Sequence, residues 1–149
     1  MENLIYCNFI TDDEINQVRE ANGEELSDEE AMTILNDWHT EYWNDLIAAC
    51  KSYDVRHPDD SYYIKLKRVI HPQYKSYING CECNKKVSSL VEAISASVNN
   101  SYEIKVYESN KSFRIQTFDH DGCNFIRIYK IKNGRLNNLN FVKEVLELC

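Results

Sequence analysis

Apolar residues recur at helical spacing in the first third of the chain. The segment Thr11-Asp-Asp-Glu14 has the form of a capping box, in which two side chains satisfy free N–H groups where a helix begins. Gly23 supplies a stop, so the pattern predicts a short helix from Asp12 to Asn22. A second capping box, Ser27-Asp-Glu-Glu30, begins a longer helix that is predicted to end near Lys51. The apolar side of this helix comprises Ala31, Leu35, Trp38, Tyr42, Leu46 and Ala49.

Alternating apolar and polar residues dominate the rest of the chain and indicate β-strands. The residue before a proline is excluded from helical geometry, so His57-Pro58 ends the helical region. Tyr62, Ile64 and Leu66 then alternate with polar residues, which predicts a strand. Short segments rich in turn-forming residues separate three further strands and favour an antiparallel meander. These strands are predicted at Tyr102–Tyr107, Phe113–Phe118 and Asn124–Ile131.

Two more helices complete the predicted fold. Residues 71–80 are predicted to form a loop, and Asn84 is expected to cap a helix that runs to Val98 and carries Val87 and Leu90 on its apolar side. A carboxy-terminal helix follows from Leu139, Val142, Val145 and Leu146. With a strand before the first helix, the pattern predicts one α+β domain over residues 1–149, an antiparallel meander of three or more strands with helices packed beside it. Residues 1–60 and 61–149 are possible subdomains.

Charge is distributed very unevenly along the chain. The net charge is −7, but residues 1–60 contain sixteen acidic and three basic residues, whereas residues 61–149 contain eight acidic and fourteen basic ones. Such asymmetry is informative about partners rather than about fold. It favours a basic partner for the acidic half, or a contact between the acidic half and the basic half of the same molecule or of a second copy in a homodimer.

The composition indicates a soluble cytoplasmic protein without a membrane partner. No apolar run approaches the ~20 residues that a membrane span requires, and no signal-peptide pattern is present. The six cysteines are therefore expected to be reduced thiols. Cys81 and Cys83, with His71 and Cys123, are candidate zinc ligands, but a single residue between two cysteines makes a poorer chelate than the usual two. We expect neither a metal nor another cofactor.

The segment Asp119-His-Asp-Gly122 admits a catalytic and a structural interpretation. His120 between two carboxylates has the composition of a general base with an orienting partner. Asp-Gly between alternating strands is, however, typical of a hairpin turn. Nucleophile-elbow, phosphate-loop, dinucleotide and metalloprotease patterns are absent. The sequence therefore favours a protein that is not an enzyme.

The sequence of the same hairpin resembles a pattern found in other small proteins. Asp119-His-Asp-Gly-Cys-Asn-Phe-Ile-Arg127 resembles an HDG-x-N strand–turn–strand pattern of small proteins from phages and conjugative elements of Gram-positive bacteria. The resemblance covers about fifteen residues and transfers no catalytic residue. Because such elements carry inhibitors of host restriction and CRISPR systems, it implies an anti-defence role in a bacterial host cell.

A stripe of carboxylates on the long helix gives this implication a mechanism. Glu30, Asp37, Glu41 and Asp45 fall on one side, and residues at i and i+4 are ~6 Å apart along the axis. Phosphates advance by ~3.4 Å of axis per nucleotide, so a groove that binds nucleic acid would also attract this stripe. We expect a nucleic-acid mimic that inhibits a host nucleic-acid-binding protein or nuclease, such as a CRISPR or restriction effector. Its aromatic anchors would be the exposed members of Trp38, Trp43, Tyr62 and Tyr63.

Two alternatives stay open. A run of charge is usually a solvated helix face, with acids favoured in the first turn. The segment from Tyr62 to Lys86 interleaves tyrosines with lysine and arginine, a combination that binds single-stranded nucleic acid in other proteins. It predicts a nucleic-acid-binding accessory protein. The net charge of −7 repels phosphate, so the inhibitor hypothesis expects no direct contact with nucleic acid.

Overall fold

The computed structural model describes residues 3–70, 79–99, 103–109, 112–136 and 141–146, and for residues 79–83 it describes the backbone alone. These residues form four helices and seven strands. The strands are β1 (Asn3–Cys7), β2 (Ser61–Ile70), β3 (Asn79–Val87), β4 (Glu103–Glu108), β5 (Phe113–Phe118), β6 (Gly122–Lys132) and β7 (Arg135–Leu136). The helices are α1 (Asp12–Asn22), α2 (Asp28–Arg56), α3 (Leu90–Val98) and α4 (Phe141–Leu146).

All strands belong to one antiparallel sheet, and the predicted α+β fold with a strand meander is confirmed. The strand order is β1-β4-β5-β6-β2-β3, with β7 paired to β6. The central meander β4-β5-β6 is therefore extended on one side by β1 and on the other by β2 and β3. The register between β2 and β6 runs without interruption from Ser61 opposite Ile131 to Ile70 opposite Gly122.

The hydrophobic core lies between one face of this sheet and three helices. Helix α2 contributes Leu46, Ala49, Cys50 and Tyr53, and α3 and α4 contribute residues such as Ile94. The sheet supplies buried side chains at every second position, because successive side chains of a strand point to opposite faces. They include Tyr62, Ile64, Ile104, Val106, Phe113, Ile115, Ile126 and Ile128. No helix in the described part of the chain is both long enough and apolar enough to span a membrane.

Helices α1 and α2 form a hairpin whose amino-terminal part has a small core of its own. Val18 packs there with Ala31 and Leu35, apart from the main core. Both predicted capping boxes are confirmed, at Thr11 with Glu14 and at Ser27 with Glu30. With 29 residues, α2 is ~43 Å long and contributes to both cores.

The structure corrects two predicted boundaries. Helix α2 continues past Lys51 to Arg56, because Tyr53 extends its buried side. Helix α3 begins at Leu90 with Ser89 as its cap, and Asn84 lies in β3. The predicted loop at 71–80 overlaps the start of β3 at Asn79, and its residues 71–78 lie outside the described chain.

Helix α3 is fixed to α2 by a single carboxylate. The N–H groups of Leu90 and Val91 donate to the two carboxylate oxygens of Asp54 over 2.8 and 3.1 Å. The first N–H groups of a helix have no partner within the helix, so an acceptor from another element satisfies them and sets the helix position. This contact orients α3 over the sheet.

Candidate functional site

The sheet divides the described charges into two separate surfaces. Because α2 packs on one face of the sheet through its buried side, its exposed side points away from the sheet into solvent. Tyr62, Ile64 and Leu66 of β2 point towards the helices, so the lysines between them, at 65 and 67, point to the opposite face. The carboxylates on the exposed side of α2 and the lysines at 65 and 67 are therefore held on opposite sides of the sheet.

The acidic stripe is exposed as the sequence predicted. Asp37, Glu41 and Asp45 are exposed on α2, and no ion pair joins them to another residue of the described chain. Glu30 is also exposed, but its carboxylate accepts a hydrogen bond from the Ser27 N–H over 3.3 Å. Glu30 therefore has a structural role, and the other three carboxylates are more available to a partner.

Two members of the stripe border a shallow depression with aromatic walls. The depression has a volume of about 230 Å³ and is lined by Trp38, Glu41, Tyr42 and Asp45. Tyr42 is 61% exposed, so much of its ring is open to a partner. Two carboxylates beside two aromatic rings suit a lysine or arginine side chain, which can pair with an acid and lie over a ring at the same time.

The structure separates the four proposed aromatic anchors. Trp38 alone lies beside the acidic stripe. Trp43 turns inwards, and its ring centroid is 5.1 Å from that of Tyr6. Tyr62 is fully buried, which raises the pKa of its hydroxyl and excludes it from contact with a partner. Tyr63 is half-buried on the opposite face of the sheet. The second aromatic ring beside the stripe is that of Tyr42, which the sequence placed on the apolar side of the helix.

The opposite face of the sheet carries a group of basic residues. A second depression, of about 310 Å³, lies across β2 and β6 and is lined by Lys65, Lys67, Phe125, Arg127 and Tyr129. The sequence singled out the two lysines and missed the three residues of β6. The sequence could have revealed them, because Phe125, Arg127 and Tyr129 alternate with buried residues and therefore lie on one face of the sheet.

The Asp119 hairpin has the structure of a braced turn. The carboxylate of Asp119 accepts hydrogen bonds from the N–H groups of Asp121 and Gly122, each over 2.9 Å. The Arg68 guanidinium donates to both of its oxygens over 2.7 and 3.0 Å. Mainly through the hydrogen bond from Arg68, the pKa of Asp119 falls to about 2. These contacts account for Asp119 as a structural residue of the β5–β6 turn.

Replacing Asp119 with asparagine should lower stability in a pH-dependent manner. A depressed pKa contributes stability above the unfolded value near 4, and the contribution disappears as pH falls towards 2. Because Asp119 and Arg68 are partly solvated, we expect a loss of roughly 1 kcal/mol at pH 7. Urea unfolding at pH 7 and at pH 2 measures this difference, with the exposed Asp121→Asn as control. An equal loss at both pH values would contradict the assigned role of the Asp119 charge.

The candidate zinc ligands are only partly covered by the structure. His71 lies outside the described residues, and only the backbone of Cys81 and Cys83 is described. Cys7, Cys50 and Cys123 form no disulfide bond within the described chain. Among the described side chains, no group of three or more His, Cys, Asp or Glu residues could hold a metal ion. That no metal or cofactor is needed stays a prediction.

Comparisons of the chain with protein-family models, with curated proteins and with solved structures find no match. Its function must therefore be inferred from the two charged surfaces.

Proposed function

We propose that this protein is a non-enzymatic inhibitor from a phage or other mobile element that acts in the cytoplasm of a bacterial host. It binds a basic groove of a host nucleic-acid-handling protein, such as a CRISPR or restriction effector, and competes with nucleic acid for that groove. The observation that carries the proposal is the depression in which Trp38 and Tyr42 lie beside Glu41 and Asp45.

Grooves that bind nucleic acid are lined with arginine and lysine, because these residues neutralise phosphates. An arginine that enters the depression can pair with Glu41 or Asp45 while its planar group lies over an aromatic ring. Aromatic residues and arginine dominate the binding energy of protein interfaces. The depression thus provides a short-range anchor for the residue type that such a groove exposes.

Long-range attraction comes from the whole helical hairpin. Eleven acidic residues of α1, α2 and their connection are exposed, and among the described residues arginine pairs with only one of them, Asp28. These residues are Asp12, Asp13, Glu20, Glu24, Glu25, Asp28, Glu29, Glu30, Asp37, Glu41 and Asp45. A surface with one sign of charge accelerates encounter with an oppositely charged surface, an effect that salt weakens. The hairpin therefore favours a basic partner over an acidic one.

The spacing of the stripe supports competition with nucleic acid. Asp37, Glu41 and Asp45 follow one another at ~6 Å along the axis, in a line on a convex helix. Nucleic acid likewise presents a line of regularly spaced negative charges. A groove shaped for a strand or a duplex can therefore receive the exposed side of α2.

Reversing the stripe should abolish inhibition. We expect Asp37→Lys with Glu41→Lys and Asp45→Lys to weaken binding by roughly a hundredfold, because attraction becomes repulsion at the contact. The assays are DNA cleavage by a CRISPR effector nuclease with its guide RNA, and cleavage by a restriction endonuclease. Each is run with wild type and with the variant. Circular dichroism checks that the variant stays helical.

A matched control carries the same change in net charge elsewhere. Asp59→Lys with Glu92→Lys and Glu144→Lys changes three exposed acids outside the stripe and should inhibit almost like wild type. Trp38→Ala with Tyr42→Ala should lose inhibition without any change in charge. If the stripe variant and the control inhibit equally, the proposal is wrong. Failure of wild type to inhibit either enzyme would exclude those two targets.

A further inference from the structure

We propose that the face of the sheet opposite the helices is a binding site for single-stranded nucleic acid. This open face is formed by the outward side chains of β2, β4, β5 and β6. Helices α2, α3 and α4 contribute to the core on the other face, and α1 packs against α2, so none of the described helices covers it. The proposal does not depend on the inhibitor function, because the open face contains no residue of the acidic stripe.

The strongest indication is a row of like charges across three neighbouring strands. Lys65 of β2 stands directly opposite Arg127 of β6, and Arg127 stands directly opposite Arg114 of β5. The row continues to Asn84 on one side and to Tyr107 on the other, so no acidic residue occupies it. Three cations in neighbouring positions concentrate positive charge on one part of the face, which suits a ligand that carries several negative charges.

The size of the row fits a nucleic-acid backbone. Neighbouring strands are ~4.8 Å apart, so the three cations span about 10 Å. This length corresponds to two or three nucleotides at ~3.4 Å of axis per nucleotide. Lys65 and Arg127 are both exposed, and Lys67 adds a further exposed cation on the same face. Successive phosphates can therefore each meet a cation.

Aromatic rings flank the row at the positions that bases would occupy. Phe125 and Tyr129 lie two residues before and after Arg127, so each is ~7 Å from it on the same face. Tyr63 stands directly opposite Tyr129. All three rings are half-buried, so each keeps part of its surface exposed. Stacking of bases on such rings, beside cations that hold the backbone, is the usual chemistry of single-strand binding.

The far side of the face shows the same pairing of rings and cations. The Arg114 guanidinium lies 4.0 Å from the centroid of the Tyr107 ring. Lys105 Nζ lies 4.9 Å from the Phe9 ring and 5.8 Å from the Phe118 ring. These contacts fix the positions of the two cations before a ligand arrives, which reduces the conformational entropy lost on binding.

The open face should prefer single strands to a duplex, and the negative net charge of the chain does not prevent this binding. A duplex hides the flat surfaces of its bases, so the rings of this face can stack only on unpaired ones. The acidic stripe lies on the far side of the sheet and α2, about 10 Å or more from the open face. At physiological salt the Debye length is ~8 Å, so these acids are largely screened. The net charge of −7 therefore does not exclude nucleic acid from the open face.

The central test uses a substitution that separates binding from folding. Arg127→Glu places an acid between Lys65 and Arg114 and reverses the charge at the centre of the row. We expect it to keep the circular dichroism spectrum of wild type and to weaken binding to labelled 20-nucleotide oligo(dT) and oligo(U) at least tenfold, measured by fluorescence anisotropy. Lys51→Glu makes the same change of charge on exposed helix α2 and should leave binding unchanged within about twofold.

Further arms test phosphate contact and stacking separately. With about three phosphate contacts, wild-type affinity should fall roughly 20-fold between 50 and 200 mM salt. Phe125→Ala should cost roughly tenfold in affinity without changing this salt dependence. Should Arg127→Glu fail to fold, Lys65→Gln replaces it, with the same expectation of weaker binding.

These binding measurements test the open face separately from the acidic stripe. Oligo(dT) and oligo(U) distinguish DNA from RNA as the ligand, and a 20-base-pair duplex should bind at least tenfold more weakly than either. No binding by wild type at 50 mM salt, equal binding of the duplex, or unchanged binding by Arg127→Glu would each overturn the proposal. The stripe variant with lysine at 37, 41 and 45 should bind oligonucleotides at least as well as wild type, so failure here and failure of the inhibitor function are distinguishable.

Discussion

Replacing Lys130 with methionine should lower the free energy of unfolding by about 3–5 kcal/mol. Lys130 is only 7% exposed and forms an ion pair with Asp60, with Nζ 3.2 Å from Oδ2. It also donates to the Tyr53 hydroxyl over 2.6 Å. Burial by itself would lower the pKa of Lys130, but the contacts with Tyr53 and Asp60 outweigh it and raise the pKa. The lysine therefore stays charged at neutral pH. Its removal leaves the buried Asp60 carboxylate with only the more distant His57, whose Nδ1 lies 3.7 Å from Oδ2, as an ion-pair partner among the described residues.

A double substitution tests this explanation. Lys130→Met with Asp60→Leu removes both charges and should recover much of the lost stability, because apolar residues often replace buried ion pairs at little cost. Urea unfolding of wild type, both single variants and the double variant forms a thermodynamic cycle for the pair. A double variant less stable than Lys130→Met would contradict the assigned role of the pair.

Features encoded by neighbouring residues were the ones that the sequence predicted well. The bounds of α1 and of β5 agree with the predictions, and both capping boxes form. A capping box involves side chains three residues apart, so its signal does not depend on the rest of the fold. The same holds for the Asp119 turn, in which Gly122 and Asp121 donate to a residue two or three positions away.

The error at α3 has a specific cause. Val87, Leu90 and Val98 fit helical spacing, but Val87 is buried from the end of β3, opposite Tyr62. A strand end and a helix that cover the same core can produce one continuous periodic pattern. The Ser89 cap was the correct boundary signal, because its hydroxyl accepts from the Glu92 N–H.

The candidate surfaces depended on information that the sequence does not contain. Tyr62 is the exception, because the alternation in β2 groups it with Ile64 and already indicates that it is buried. Tyr42 lies on the apolar side of α2 by periodicity, yet it is exposed beside Trp38 in the depression. Periodicity identifies one side of a helix, but only the tertiary fold determines how much of that side the sheet and other helices cover.

The cationic row of the open face illustrates the same limit in the sheet. Lys65, Arg114 and Arg127 are far apart in sequence, and only the register of three strands makes them neighbours. A shift of one residue in either register would move one of them to the opposite face. The asymmetry of charge was visible in the sequence, but its division between two sides of the molecule was not.

The end of the β2–β6 pairing depends on a glycine, and Gly122→Ala should lower the free energy of unfolding by about 3 kcal/mol. A Cβ atom at this position would lie 2.1 Å from the Val69 carbonyl oxygen and 3.0 Å from the Ile70 Cα. Both contacts are with backbone, so no side-chain rotation relieves them, and β2 must move away from β6.

A second glycine provides the control for this experiment. A Cβ atom at Gly134 would meet no atom within 4 Å, but its φ of 75° strains any other residue. Gly134→Ala should therefore cost only about 1 kcal/mol. In Gly122→Ala, the amide of Ile70 should also exchange faster with solvent, because the strands separate there. If both variants lose the same stability, the close approach of β2 does not explain the glycine at position 122.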